Sequence, residues 1–315
     1  MRILITGGSG FVGANLVARL SGQKDVTLRV FDNESLGKRE HLGGLACDIV
    51  RGDLRDRAAL DQVLVDMDAV VHLAADTRVI DSIANPVFNL DVNVIGTVNL
   101  LEAMRARGIK RLVSASTGGA IIGKAEGPVH EKMVPSPLSP YGASKLAVEG
   151  YCSAYSECYG LRALSLRFSN VYGPRSFHKG SVVAAFFKRI IKGMPLPVYG
   201  DGTQTRDFIF ADDLCDGIIH GLRSDAIGAL QLGSGTPLSV NELLDAIRTV
   251  VAPRPIEVEY LEFRAGEIHT TYCDIAKARM QLGFAPQTSL LSGLRTTWTW
   301  FLAQAGQKAM APAQL

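Results

Sequence analysis

A phenol and an amine share one short stretch, Tyr141-Gly142-Ala143-Ser144-Lys145, directly after Ser139-Pro140. Ser followed by Pro marks a helix start, so Tyr141 and Lys145 fall at i and i+4 on one helix face. An unperturbed phenol ionises near ~10 and is a poor base at neutral pH, but a neighbouring cation favours the phenolate. The pair predicts a Tyr141 activated by Lys145 to take a proton from a substrate hydroxyl. A third hydroxyl is expected from the turn Ser114-Ala115-Ser116-Thr117-Gly118-Gly119, with Thr117 favoured and Ser116 second. Hydroxyls in such a turn have a competing use, satisfying local backbone groups.

A second constellation opens the chain. A strand candidate, Ile3 to Thr6, runs into Gly7-Gly8-Ser9-Gly10-Phe11-Val12-Gly13 and then a helix carrying Leu16, Val17 and Leu20. Such glycines let the backbone approach a pyrophosphate, and the helix N-terminus offers free N–H groups and a positive dipole. Asp32 ends the second strand candidate, where a carboxylate accepts from both ribose hydroxyls and repels a 2′-phosphate, so the expected cofactor is NAD rather than NADP. Asp53, in Gly52-Asp53-Leu54, is placed to meet the adenine amino group or to cap a helix. Small residues follow the fourth strand in His72-Leu73-Ala74-Ala75, where a cofactor would cross the sheet; His72 itself is expected to be a hydrogen-bonded core residue.

The elements that position these groups follow from periodicity. Further strands are predicted at Thr27 to Phe31, Asp48 to Arg51, Ala69 to Leu73, Arg111 to Ala115 and Leu164 to Phe168. Strands alternating with amphipathic segments predict an α/β, doubly wound Rossmann parallel sheet, with strands apolar on both faces. After Phe168, prolines and the Gly-rich Tyr199-Gly200-Asp201-Gly202 stretch predict a smaller, interleaved α/β lobe. The expected division is a cofactor domain at 1–170 with returning segments near 207–233, and a substrate lobe at 171–206 and 234–315. Helices at 85–107 and 141–159 are apolar over more than one stripe, which fits either a homodimer contact or a thick monomer core.

The 315 residues carry 33 basic and 31 acidic side chains, a net charge of +2, with no basic cluster. No nucleic-acid partner is expected. The start of the chain lacks an apolar leader and no stretch is long enough for a membrane span, so a soluble, cytoplasmic protein without a membrane partner is expected. Five cysteines without CxxC spacing argue against disulfides and zinc, no metal is expected, and each thiol is read as buried or inert.

Gly7-x-x-Gly10-x-x-Gly13, Asp32, Thr117 and Tyr141-x-x-x-Lys145, in this order, resemble the extended short-chain dehydrogenase/reductase family, and within it the nucleotide-sugar 4-epimerases of the UDP-galactose type. The resemblance extends to Asn93-x-x-Gly96-Thr97, Arg167-x-x-Asn170-Val171-Tyr172-Gly173-Pro174, Gly200-x-Gly202-x-Gln204-x-Arg206-Asp207-Phe208 and Arg264-x-Gly266-Glu267. It implies a UDP-hexose as the partner and tightly bound NAD. The cofactor would lie against Gly7, Gly10, Phe11, Val12, Asp32, Asn33, Asp53, Leu54, Leu73, Ala74, Ala75, Asn93, Tyr141, Lys145 and Phe168. It implies hydride removal from sugar C4, proton removal by Tyr141, a hydrogen bond from Thr117, rotation of the 4-keto sugar, and hydride return to its other face. Ser116, Asn170, Ser181, Val182, Tyr199, Arg206, Arg264, Glu267 and Thr271 would join Thr117 in holding the substrate.

Dehydratases and decarboxylases of this kind carry an acid just after the active-site Thr or Ser, where this chain has Gly118-Gly119-Ala120, which favours plain epimerisation. Thr271 falls where glucose-restricted epimerases tend to carry a bulky Tyr, which implies room for a 2-acetamido group. Ile122-Gly123 replaces a frequent Tyr-Gly and implies loss of an aromatic from the pocket wall. A UDP-uronate or other nucleotide-sugar 4-epimerase, an NAD-dependent ketosugar reductase, and a non-catalytic NAD sensor are the alternatives.

Overall fold

The computed structural model of the chain describes residues 1–263 and 269–310. In chain order it carries β1 (Arg2–Thr6), α1 (Phe11–Leu20), β2 (Thr27–Asp32), β3 (Asp48–Arg51), α2 (Arg57–Val63), β4 (Ala69–His72), α3 (Val79–Ala84), α4 (Pro86–Leu90), α5 (Gly96–Ala106), β5 (Arg111–Thr117), α6 (Gly118–Ile122) and α7 (Pro140–Tyr159). There follow β6 (Arg162–Phe168), β7 (Asn170–Tyr172), α8 (Val182–Ile191), β8 (Leu196–Tyr199), β9 (Thr205–Phe210), α9 (Ala211–Arg223), β10 (Gly228–Leu232), β11 (Pro237–Ser239), α10 (Val240–Val251), β12 (Val258–Leu261), β13 (Thr270–Thr271), α11 (Ala276–Leu282) and α12 (Leu290–Met310). Among the described residues no helix is long and apolar enough to cross a membrane.

Seven parallel strands form the central sheet in the order β10-β6-β5-β4-β1-β2-β3. Its strands are apolar runs because both faces are covered. Ile3 and Ile5 pack with Leu16 and Val17 of α1 and Leu214 and Ile218 of α9. Leu4 points the other way, to Leu60 of α2, Leu100 and Met104 of α5 and Val148 of α7. Every strand expected before Phe168 is present; β5 runs on past Ala115, which makes Thr117 its last residue.

The sheet's last strand, β10, arrives after a long excursion and pairs with β6. Asp207 to Phe210 do not return with it. They belong to β9, which pairs with β7, β11 and β13 in a second sheet, while β8 and β12 form a parallel pair. These small sheets share a separate core in which Phe187, Leu243, Leu294, Trp298 and Phe301 are buried. The expected helix at 85–107 is built from α4, a π-helical turn at Asp91–Ile95, and α5. Its later half is core, whereas Val87 is 76% and Leu90 50% exposed.

A line of buried hydrogen bonds fixes the carboxyl ends of β1 and β4. Thr6 Oγ1 meets His72 Nδ1 at 2.7 Å, His72 Nε2 meets Thr97 Oγ1 at 2.9 Å, and Thr97 donates to the Asn93 carbonyl at 2.5 Å. Thr97 has one proton and gives it to Asn93, so it accepts from His72; the imidazole is therefore the Nε2–H tautomer and accepts from Thr6. The Asn93 side chain then accepts the Asp76 N–H at 2.7 Å and donates to the Asp76 carbonyl and to Ser144 Oγ, each at 3.0 Å. The line thus ends on α7, one residue from Lys145. His72 is a core residue, as expected.

Burial, aided by the Lys145 charge, pushes the His72 pKa from 6.5 down to about 3. Below pH 6.5 the unfolded chain takes up a proton that the folded imidazole refuses, so stability falls as the pH falls towards 3. At pH 5 the loss from this one group amounts to about 2 kcal/mol. Denaturant unfolding of the wild type and His72→Gln at pH 7 and pH 5 should show a steeper acid loss in the wild type by that amount; equal losses would refute the assignment.

Candidate active site

The strands deliver their functional groups at one edge of the central sheet, the carboxyl edge, where an open α/β sheet binds ligands. Three cavities meet there. The first, of about 440 Å³, is lined by Gly7, Gly10, Phe11, Val12, Asp32, Asn33, Asp53, Leu54, Leu73, Ala74 and Ala75, among others. Gly7 has a φ of +70°, and a Cβ there would lie 2.6 Å from the Ala74 nitrogen. A Cβ on Gly13 would lie 2.4 Å from the Gly7 carbonyl oxygen, so only bare backbone fits between turn and helix. Gly10 caps α1 without a side-chain hydrogen bond, which leaves the first N–H groups of the helix open to an anion.

Asp32 is buried and braces this cradle. Its Oδ2 accepts the Ser9 N–H at 3.0 Å and its Oδ1 the Glu34 N–H at 2.8 Å. Burial pushes its carboxyl above the ordinary value against the pull of those two bonds. Asp53 does not cap a helix; Asp56 caps α2, accepting the Ala59 N–H at 3.1 Å. The Asp53 carboxylate is held well below the usual range by the Arg55 guanidinium, and it also accepts from Asn33 Nδ2 at 2.9 Å. The cradle, its open helix end and the acceptor at Asp32 fit a dinucleotide with free ribose hydroxyls.

Two further cavities, of about 570 and 900 Å³, share Thr117, Tyr141, Phe168, Asn170 and Arg206 in their walls. Both volumes lie within the range of small-molecule sites. Ser116, Ser181, Val182 and Tyr199 line the smaller one and Thr271 the larger. The smaller one also shares Phe11, Val12, Thr77 and Lys179 with the glycine-rich cavity. Ser139 caps α7, accepting the Gly142 N–H at 3.1 Å, with Pro140 next; this sets Tyr141 in the first turn, where both cavities open.

The hydroxyls at the end of β5 separate. Ser116 is buried and donates to Glu149 Oε1 at 2.6 Å, whereas Thr117 starts α6 without capping it and borders both cavities. Glu149 in turn holds Arg167 through 2.9 and 2.7 Å bonds from Nε and Nη2. Activation of Tyr141 is expected from Lys145 together with the nicotinamide charge, and in the protein alone burial opposes it. Lys145 is buried, and its ammonium donates to the Ala115 carbonyl at 3.0 Å. Burial brings that ammonium down to about 8, while burial, with Asp76 adding to it, pushes the Tyr141 phenol up to about 12.

Asn93 and Lys145 border none of the three cavities. Asn93 holds the Asp76 backbone and Ser144 instead, so it positions the wall from behind. Ile122 lies in a small apolar cluster with Ile121 and Val129, so the aromatic expected to be missing from the pocket wall concerns a position outside it. Arg264 and Glu267 lie outside the described residues. Of the cysteines, Cys152, Cys215 and Cys273 are buried, Cys47 half-buried, and Cys158 exposed.

Sequence reasoning missed several groups. Gly37 carries a loop so close that a Cβ would lie 2.3 Å from the Ser9 carbonyl carbon. Asp207 gathers N–H bonds from Ser234 at 2.7 Å and Gly235 at 3.0 Å, clamping the loop after β10 to β9 beside Arg206. Gln231 lines the larger cavity; its signal was a lone polar residue in the apolar run Leu230-Gln231-Leu232.

Residues 3–232 match the NAD dependent epimerase/dehydratase family. A putative UDP-glucose 4-epimerase of Methanocaldococcus jannaschii is 36% identical over 95% of this chain and 97% of its own. A UDP-glucuronate 4-epimerase of Thermodesulfobacterium geofontis is 34% identical over 94% and 95%. The crystal structure of UDP-glucose 4-epimerase with UDP-glucose from Thermotoga maritima superposes with a TM-score of 0.92 at 32% identity, covering 97% of this chain and 100% of that one. The chain belongs to the NAD dependent epimerase/dehydratase family and is an enzyme whose cofactor is NAD.

Proposed function

We propose that the protein is a UDP-hexose 4-epimerase that inverts C4 of UDP-glucose, UDP-N-acetylglucosamine, or both, through a transient 4-keto sugar. The observation that carries this reading is the placement of Thr117 and Tyr141 in the wall common to two cavities, one of which opens to the glycine-rich cradle. NAD, when bound, supplies the hydride acceptor and donor at C4 and a positive ring. Gly7, Gly10, Phe11, Val12 and Asp32 would hold it. Tyr141 takes the 4-hydroxyl proton and later returns it, and Thr117 hydrogen-bonds the same oxygen. With the phenol at about 12 in the protein alone, this proton transfer depends on positive charge brought by the cofactor. Arg206, Asn170, Ser181, Val182 and Tyr199 hold the nucleotide end, and Arg264 and Glu267 complete that set. The larger cavity gives the 4-keto sugar room to turn over while its diphosphate stays anchored.

Proton NMR with UDP-glucose, without added cofactor, should show the galacto anomeric signal. Tyr141→Phe should lower kcat about 10²- to 10⁴-fold while co-purified NAD is retained. Turnover that requires added NAD and stops with its consumption would point to a ketosugar reductase, and retained NAD without any change at C4 to a sensor.

Thr271 is half-buried against Gly119, where a Cβ would lie 2.8 Å from its Cγ2. Its small side chain supports acceptance of the 2-acetamido group. Thr271→Tyr should cut turnover of UDP-N-acetylglucosamine at least about tenfold with little effect on UDP-glucose; exclusion of the acetamido sugar by the unaltered enzyme would sink this reading.

The homodimer is proposed through the helices at 85–107 and 141–159, where Val87, Leu90, Ile95, Tyr151 and Tyr159 are exposed. Sedimentation should give twice the chain mass of 33.8 kDa, and Val87→Glu with Leu90→Glu should give the single mass. A monomeric wild type would overturn it.

A further inference from the structure

Lys179 stands where two cavities meet. It lines both the glycine-rich cradle and the smaller of the two cavities that hold Thr117 and Tyr141, and so do Phe11 and Val12, the first two residues of α1. It is half-buried, and its ammonium makes no hydrogen bond or ion pair with any described residue. Burial, with the Arg78 charge adding to it, lowers its pKa below the ordinary value, and no carboxylate acts to raise it. An ammonium taken part-way out of water without a counter-charge is costly, and an anion at the junction would offset that cost.

Contacts on both sides hold the residue there. The Lys179 N–H donates to the Ser176 carbonyl at 2.8 Å, and its own carbonyl accepts from Lys188 Nζ of α8 at 2.7 Å. The neighbouring His178 ring stacks on His41 with centroids 4.9 Å apart, and His41 Nδ1 meets the Ser9 carbonyl of the glycine turn at 2.9 Å. The loop between β7 and α8 is thereby laid against the cradle. The arginines of the cradle wall are already engaged: Arg55 Nε donates to Asp53 at 2.9 Å and Arg78 to Asp81 at 3.1 Å. No carboxylate is among the described residues that line the smaller cavity. Lys179 is therefore placed to face an anion at the open end of α1.

We propose that Lys179 binds a phosphate oxygen at this junction, completing an anion site whose other side is the N-terminus of α1. Two diphosphates can supply that oxygen, the one in NAD and the one in a nucleotide sugar; the second source rests on the reading of the cavity as a UDP-sugar site. A lysine gives a compact charge on a flexible stem, which either phosphate can meet.

The test compares wild type, Lys179→Met and Lys179→Arg. It measures the NAD retained through repeated dilution and filtration, and the Kd of UDP titrated into enzyme kept in excess NAD. Methionine should weaken at least one of the two about tenfold, and arginine, which keeps the charge, should restore most of the loss. Binding of the same ligand should weaken with added salt more steeply in the wild type than in Lys179→Met. Loss of NAD with unchanged UDP affinity assigns the contact to the cofactor, loss of UDP affinity with NAD retained assigns it to the substrate, and loss of both assigns it to the two together. Unchanged NAD retention and UDP affinity in Lys179→Met would overturn the proposal, as would a loss that arginine does not recover. Neither readout needs turnover, so failure of the epimerase reading shows as absent exchange at C4 and failure of this proposal as unmoved binding.

Discussion

The buried line of hydrogen bonds from Thr6 through His72 and Thr97 to Asn93 is the constraint on which the site depends. A neutral imidazole must give one proton and receive one, so each partner in the line has one permitted role. Through Asn93 the line reaches Asp76 on the loop after β4 and Ser144 on α7. The cofactor wall and the helix that carries Tyr141 are thereby set by one network. A polar residue in this line cannot change alone, because its partner would be left buried and unpaired.

A second buried arrangement divides the labour at the end of β5. Neighbouring residues of a strand face opposite ways. Ser116 is drawn to Glu149, which also takes Arg167, so its proton is committed to the interior. Thr117 ends the strand with its side chain at the cavities. The Arg167–Glu149 pair is only 6% and 10% exposed, so removing either partner would leave a buried charge uncompensated, a cost of about 3 to 5 kcal/mol. The pair aligns β6 with α7 and supplies no charge to the cavity.

The parallel sheet, the glycine cradle and the α7 start were legible because each depends on local chemistry. Apolar runs, glycine spacing and Ser139-Pro140 act within a few residues. What stayed hidden depends on pairings between distant segments. That Lys145 faces the Ala115 carbonyl depends on where α7 lies over β5, which i, i+4 spacing cannot reveal. Asn93 sits in one of the motifs that carry the resemblance, yet its side chain is used by Asp76 and Ser144, and only tertiary structure shows that. Asp207 stands beside Arg206 in the sequence, but its clamp on Ser234 and Gly235 spans β9 and the loop after β10.

The same distinction explains the missing acid after Thr117. A side chain at position 118 or 119 would have to enter space already taken, by Gln231 in the first case and Thr271 in the second. The glycines and these two residues therefore form one packing unit. The turn can stay bare because β10 and β13 bring neutral polar groups to it from elsewhere in the chain. A side chain introduced at 118 or 119 would first have to displace the Gln231 amide or the Thr271 methyl. In the proposed reaction this keeps proton transfer with Tyr141, since the neutral groups on either side of the bare turn offer no acid for elimination.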